Sequence, residues 1–179
     1  MLRAAAASNS LMSYLNVAAL SLRGRHHPAL AQLITTHDVR MSKPHLKFLA
    51  GNYLTYSTRA TQSGGSSACR LCSSGSDETV SHVISTCFSL AQVRNKVFND
   101  FKILCKQTTN DLDFDVFLKS EELTCQFILD PTSLNLPTRL SQNEPLLNNF
   151  FKLSRDFCYL IDKTRIRLLK EAETSSKIN

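Results

Sequence analysis

Residues 69–87 read CRLCSSGSDETVSHVISTC, and the spacing Cys69-x2-Cys72-x9-His82-x4-Cys87 governs how the rest of the chain is understood. A Cys-x2-Cys turn brings two thiolates within reach of one ion. A His and a Cys on the following segment complete the tetrahedron that zinc prefers. Cys69, Cys72, His82 and Cys87 are therefore expected to hold one structural zinc. Four such ligands leave no open position, whereas a hydrolytic zinc keeps one for water. The alternative, cysteines buried as small hydrophobes, fits poorly with a loop rich in Gly and Ser.

The residues between the ligands agree with this. Ser73, Ser74, Gly75 and Ser76 form a flexible loop, Asp77 and Glu78 suit a helix N-terminus, and Val80, Val83 and Ile84 give a short helix an apolar side. Glu78 lies four residues before His82. It is either a carboxylate holding the second imidazole nitrogen or, the favoured reading, a solvated acid near a helix start.

Outward from the motif, the pattern is helical. Upstream, Ser10–Leu22 places Leu11, Tyr14, Leu15, Ala18 and Leu22 at three- and four-residue steps. A second helix is expected after Pro28, through Leu30, Leu33 and Ile34, ending near Thr35–Asp38. His45–Tyr56 reads as the helix leading into the metal loop, and Ser57–Ala68, with the only Gly-Gly, as an exposed connector. Downstream, Leu90–Cys105 is amphipathic, with Val93, Val97, Phe98, Phe101 and Leu104 on one side. Asp111–Leu118 is a short strand or a helix start, and Thr132–Gln142 is irregular. Pro145–Glu173 is the longest helix candidate, its apolar face carrying Phe150, Phe151, Phe157, Cys158 and Ile161, with Lys152, Arg155, Lys163, Arg167 and Lys170 roughly opposite.

The expected fold is mainly α, a small helical bundle with an inserted zinc-stapled loop–helix knuckle. It divides into a basic N-terminal helical segment (1–60), the metal-binding motif (61–90) and a C-terminal helical region (91–179). A chain of 179 residues allows one ordinary core plus such a satellite.

Charge is uneven. Residues 1–60 hold seven Lys/Arg against the single acid Asp38, while residues 91–179 hold thirteen against twelve. The net +6 fits a phosphate backbone and equally a solvated surface. Six cysteines, with no secretory signal, point to a reducing compartment, nucleus or cytoplasm, where clustered cysteines bind metal. Cys105, Cys125 and Cys158 lie in amphipathic settings and are expected in the core. His26, His27, His37 and His45 have no ligand partner at a familiar spacing, so a second metal site is not expected. No apolar run suffices for a spanning helix. The Ala-, Ser- and Arg-containing N-terminus has the composition of a mitochondrial transit peptide or of an ordinary helix, the second being favoured.

The string CRLCSSGSDETVSHVISTC, followed by Arg94, resembles the zinc-binding segment near the C-terminus of reverse-transcriptase polyproteins of non-LTR retrotransposons. HLKFLAGNYLTYSTRA upstream is similar to the helix and linker preceding that motif. FILDPTSLNLPTRL and FFKLSRDFCYLIDKTRIRLLK are similar to the region that ends many members. The likeness covers roughly residues 40–173, and Glu-Thr-x-x-His is its most specific part. Ser73 and Phe88 stand where many members have Gly and Pro. There is no Tyr-x-Asp-Asp run. A nuclease signature would need an Asp following a Pro, whereas Asp130 precedes Pro131, and Asp111, Asp113 and Asp115 merely alternate beside Phe114 and Phe117.

The resemblance implies a detached, non-catalytic C-terminal piece that holds template RNA or target DNA near a polymerase. Arg59, Arg70, Arg94 and Lys96, with Lys43 and Lys47 from the preceding helix, are the expected backbone contacts. Tyr53, Tyr56 and Phe88 flank the motif, with Phe88 expected in the core. The expected partner is RNA or an RNA–DNA intermediate, besides the remainder of the polyprotein. A membrane or a small-molecule substrate is not expected. The competing readings are a protein-interaction piece in which zinc only scaffolds, with the apolar face of the last helix left bare, and an inactive retroelement remnant.

Overall fold

The computed structural model describes residues 14–15, 27–31, 33, 35–108, 114–134 and 143–175. It is mainly helical, with no strand among the described residues. The elements are α1 (Pro28–Ala31), α2 (Thr36–Leu49), α3 (Tyr56–Ser63), the metal loop with a widened turn at His82–Thr86, a 3-10 turn at Phe88–Leu90, and α4 (Ala91–Thr108). A 3-10 segment (Phe114–Lys119), α5 (Glu121–Leu129), a 3-10 turn (Pro131–Ser133) and α6 (Glu144–Ser175) complete the order. α6 packs most extensively on α2 and α4, and also touches α1 and α5.

Several boundaries move from where the pattern put them. Most of the expected Ser10–Leu22 helix lies outside the described residues, and Tyr14 sits in a turn. The helix after Pro28 is a single turn. Thr35–Asp38 starts a helix instead of ending one. Thr35 caps α2 by accepting from the Asp38 backbone N–H, while the Asp38 carboxylate accepts from the Thr35 N–H, a reciprocal capping box. Half of the expected connector is helical as α3, which Thr55 caps and Gly64 ends at φ 74°. Of Asp111–Leu118, the described part is a 3-10 segment. α5, which no periodicity announced, is capped by Ser120 and buries Phe127, Ile128 and Leu129 completely.

The core is aromatic. Phe150 meets Phe101 at 4.9 Å and Phe127 edge-on at 5.0 Å between centroids, and Phe114 stacks on Phe101. Cys105, Cys125 and Cys158 are buried around this cluster. The core draws Phe48 from α2, Val83, Ile84 and Leu90 from the segment around the metal loop, and Phe101 and Phe157 from the C-terminal half. The apolar face of α6, which the competing protein-interaction reading left bare, is covered by α2, α4 and α5. Arg155, expected on the solvent side, is buried and pairs with Asp38 at 3.0 Å, tying α6 to the N-cap of α2.

A polar staple crosses this core. His45 Nε2–H donates to the Leu129 carbonyl at 2.8 Å, and His27 Nε2 meets the fully buried Asp130 at 3.1 Å. Burial pushes the pKa of His45 down to about 4, against the opposing pull of Leu129 and Asp130. An unfolded histidine titrates near 6.5, so between about pH 6.5 and 4 the unfolded chain binds more protons. The stability carried by neutral His45 is therefore complete above about pH 6.5 and lost as pH falls toward 4, in all about 3 kcal/mol. Replacing His45 by Gln should flatten the decline of urea stability between pH 7 and 4.5 relative to the parent. An unchanged slope would refute this assignment.

Candidate metal centre

The metal loop is built as a short hairpin. The Cys69 N–H donates to the Ser76 carbonyl at 2.9 Å and the Glu78 N–H to the Ser67 carbonyl at 2.8 Å, with a bridge between Ala68 and Asp77 and a hydrogen bond from Ser67 Oγ to Asp77. Gly75, at φ 71°, closes the loop in the left-handed region. This pairing delivers Cys69 and Cys72 at one end and lays the 78–87 segment across them.

The second ligand pair depends on an uncommon turn. Five residues along an α-helix leave two side chains about 140° apart, too divergent for one ion. Here the Cys87 N–H donates to the His82 carbonyl at 2.8 Å, an i to i+5 bond that widens the turn and swings Cys87 back toward His82. One ligand atom from each of Cys69, Cys72, His82 and Cys87 then lies within 4.8 Å of all the others. Cys69 and Cys87 sulfurs are 3.9 Å apart, and the Cys72 sulfur is 3.4 Å from His82 Nε2. This is the one such cluster among the described residues, and it can hold a metal ion.

The neighbouring atoms tune the ligands unequally. Burial raises the Cys72 thiol pKa, but hydrogen bonds from Ser74, and from His82, outweigh it and bring it to about 6. Burial, with the adjacent Cys69 and Cys72, pushes the Cys87 thiol up to about 12. The other imidazole nitrogen of His82, Nδ1, lies 3.1 Å from Thr86 Oγ1, which fixes the ring and leaves Nε2 facing the Cys72 sulfur.

Glu78 is neither of the things its position suggested. It does not hold His82 and it is not solvated; it is fully buried and receives both arms of Arg165, Nε to Oε1 and Nη2 to Oε2, each at 2.9 Å. Its Oε2 also accepts the Tyr56 N–H at 2.7 Å. Arg165 lies over the Tyr53 ring, and the Tyr53 hydroxyl donates to Asp162 at 2.9 Å. The metal loop is thus bolted to α6 through a charged network no local pattern revealed.

The expected contact residues separate. Arg59 and Arg70 are exposed and share the Tyr56 ring, their guanidinium carbons 5.6 and 4.6 Å from its centroid. Lys96 is exposed on α4, and Lys43 and Lys47 are exposed on α2, where they rim a shallow groove with Val39 and Leu46. Arg94 is buried, 7% exposed, and its Nη1 has no hydrogen-bond partner among the described residues. It interacts electrostatically with Cys87 and Glu121. Phe88, expected in the core, is 82% exposed, while Tyr53 and Tyr56 are buried.

No family model, curated protein or solved structure matches the chain. What the centre can do follows from its own ligands and neighbours.

Proposed function

We propose that the chain is a zinc-stapled, non-catalytic nucleic-acid-binding module. The observation that carries this reading is the closed set of three sulfurs and one imidazole nitrogen gathered within 4.8 Å. Sulfur-rich tetrahedral sets of this kind select zinc, and a fourth protein ligand in place of water makes the ion structural. Three thiolates and a neutral imidazole around a divalent ion leave one net negative charge. Arg94, buried and electrostatically coupled to Cys87, supplies a counter-charge. Its burial takes Arg94 out of the phosphate contacts.

Arg59, Arg70 and Lys96 are the exposed cations nearest in sequence to the ligands, and Lys43 and Lys47 add charge on α2. With a net charge of +6, they favour a phosphate backbone as partner. The likeness of residues 69–87 to the zinc segment of retrotransposon reverse-transcriptase polyproteins supports an origin in the C-terminal part of such a protein, with RNA as the natural ligand.

The purified chain should carry one zinc and bind single-stranded RNA with an affinity that falls steeply as salt rises. Each phosphate contact contributes about −0.7 to the slope of log K against log salt, so the triple variant Arg59→Ala, Arg70→Ala, Lys96→Ala should make the slope shallower by about 2. Fluorescence anisotropy across a salt series measures it. Absence of zinc in metal analysis would overturn the metal assignment, and absence of RNA binding at low salt would overturn the ligand.

A further inference from the structure

Among the large apolar side chains exposed at the surface, Phe88 stands out at 82% exposure. It is not on a frayed loop. It follows the ligand Cys87 directly and opens a 3-10 turn in which the Leu90 N–H donates to the Cys87 carbonyl at 3.1 Å, Leu90 being fully buried. Ser89 Oγ donates to the Leu71 carbonyl, so Phe88 and Arg70 each adjoin a residue of one hydrogen-bonded pair. Arg70 is itself held by its stacking on Tyr56. An aromatic ring and a guanidinium are therefore presented to solvent on a scaffold anchored to the metal loop and the core.

The stripe continues along α4. Gln92, Asn95, Lys96 and Asn99 follow Phe88 at steps of four, three, one and three, the spacing of one helix face, and all four are exposed. The stripe contains no acid. Its amides offer donors and acceptors together, as base edges require, and its charges are positive. An aliphatic partner surface would call for a contiguous apolar patch, whereas here Phe88 stands beside cations and amides, and the next exposed apolar residue on the face, Ile103, lies a turn beyond Asn99.

Resting on the nucleic-acid reading above, we infer that Phe88, Arg70 and the Gln92–Asn99 face of α4 form a binding surface for unpaired nucleotides, with a base stacked on Phe88 and the backbone held by Arg70 and Lys96. The ligand class is single-stranded RNA or DNA, because a duplex keeps its base faces inside the stack and cannot offer one to the ring.

The test uses the full, zinc-loaded chain with a labelled single-stranded RNA of about a dozen nucleotides, and the same sequence as a duplex. Phe88→Ala should weaken single-strand binding about ten-fold or more while changing duplex binding less than about two-fold. Phe88→Tyr should restore it, and Asn95→Ala with Asn99→Ala should weaken it further. Because Phe88 is exposed, zinc content and melting temperature should stay at parental values in Phe88→Ala. If the parent binds RNA with the expected salt dependence but Phe88→Ala binds the single strand equally well, the stacking surface is wrong and the broader reading stands. If the parent binds neither form at low salt, both fall. If Phe88→Ala instead abolishes self-association in sedimentation and spares RNA binding, the stripe is a protein contact and the inference is overturned.

Discussion

Replacing Glu78 with alanine is expected to destabilise the fold by about 3–5 kcal/mol, the usual consequence of leaving one member of a buried ion pair without its partner. Arg165 would remain almost wholly buried, stripped of both hydrogen bonds to the carboxylate, and the Tyr56 N–H would lose its acceptor as well. Against a total stability of about 5–15 kcal/mol, that is a large fraction. Arg165→Ala should cost a comparable amount, because it leaves Glu78 charged in a dry site. The paired change Glu78→Gln with Arg165→Met should recover much of the loss, since it removes both charges together. Urea denaturation of the parent, of Glu78→Gln and Arg165→Met singly and of the two combined closes the cycle. A double variant that loses the sum of the two single losses would mean that the pair is not coupled. Burial would lower the pKa of Arg165, but the bonds to Glu78 outweigh it and hold that pKa above the ordinary arginine value, so Arg165 should stay charged throughout the accessible range.

Removing the metal should have the next largest effect. A ligand present a thousand-fold above its Kd stabilises the folded state by about 4 kcal/mol, which for a chain of this size corresponds to a fall in melting temperature of about 10 °C on chelation. Loss should begin locally. The hairpin at 67–78 has few hydrogen bonds of its own and an exposed tip, so amide exchange there should accelerate before that of α4 or α6. Cys87→Ser should reproduce the chelator effect more strongly than Cys72→Ser, because Cys87 is fully buried in the common core whereas Cys72 is partly exposed. Identical melting and exchange with and without chelator would overturn the metal assignment.

The cluster of Cys69, Cys72, His82 and Cys87 was readable because sites that can hold a metal are written in short spacings, and a Cys-x2-Cys turn needs no tertiary context to bring its sulfurs together. The widened turn between His82 and Cys87 was not readable, because HVIST is as compatible with an α turn as with the i to i+5 bond it makes. Glu78 and Arg155 were misread for one shared reason. Helical periodicity assigns a charged residue to solvent, but their partners, Arg165 and Asp38, lie 87 and 117 residues away, and only the tertiary fold introduces them. Phe88 was misread in the opposite sense. Apolar residues are mostly buried on average, but nothing in a sequence guarantees it for an individual one. Thr35–Asp38 looked like an ending because polar runs close helices as well as open them, and only the reciprocal capping geometry separates the two.

The long helices α4 and α6 followed the periodicity closely, for a physical reason. Each presents a continuous apolar stripe, Val97–Phe101–Cys105 and Phe150–Phe157–Ile161, that has one feasible burial. α5 is short and its apolar residues crowd at its C-terminal end, in Phe127–Leu129, so its nine residues carried no period to detect.

The sharing of buried side chains between the metal loop and the helices sets how portable the loop is. Val83, Ile84, Cys87 and Leu90 all lie in the same packed interior as Phe48 and Phe101. A transplant of residues 66–90 into another host would therefore carry the three aliphatic side chains of Val83, Ile84 and Leu90 and the buried Glu78 carboxylate with nowhere to go. The smallest exchangeable unit includes α4 and the stretch of α6 around Arg165, and chimaeras cut inside that boundary should misassemble even when zinc is plentiful.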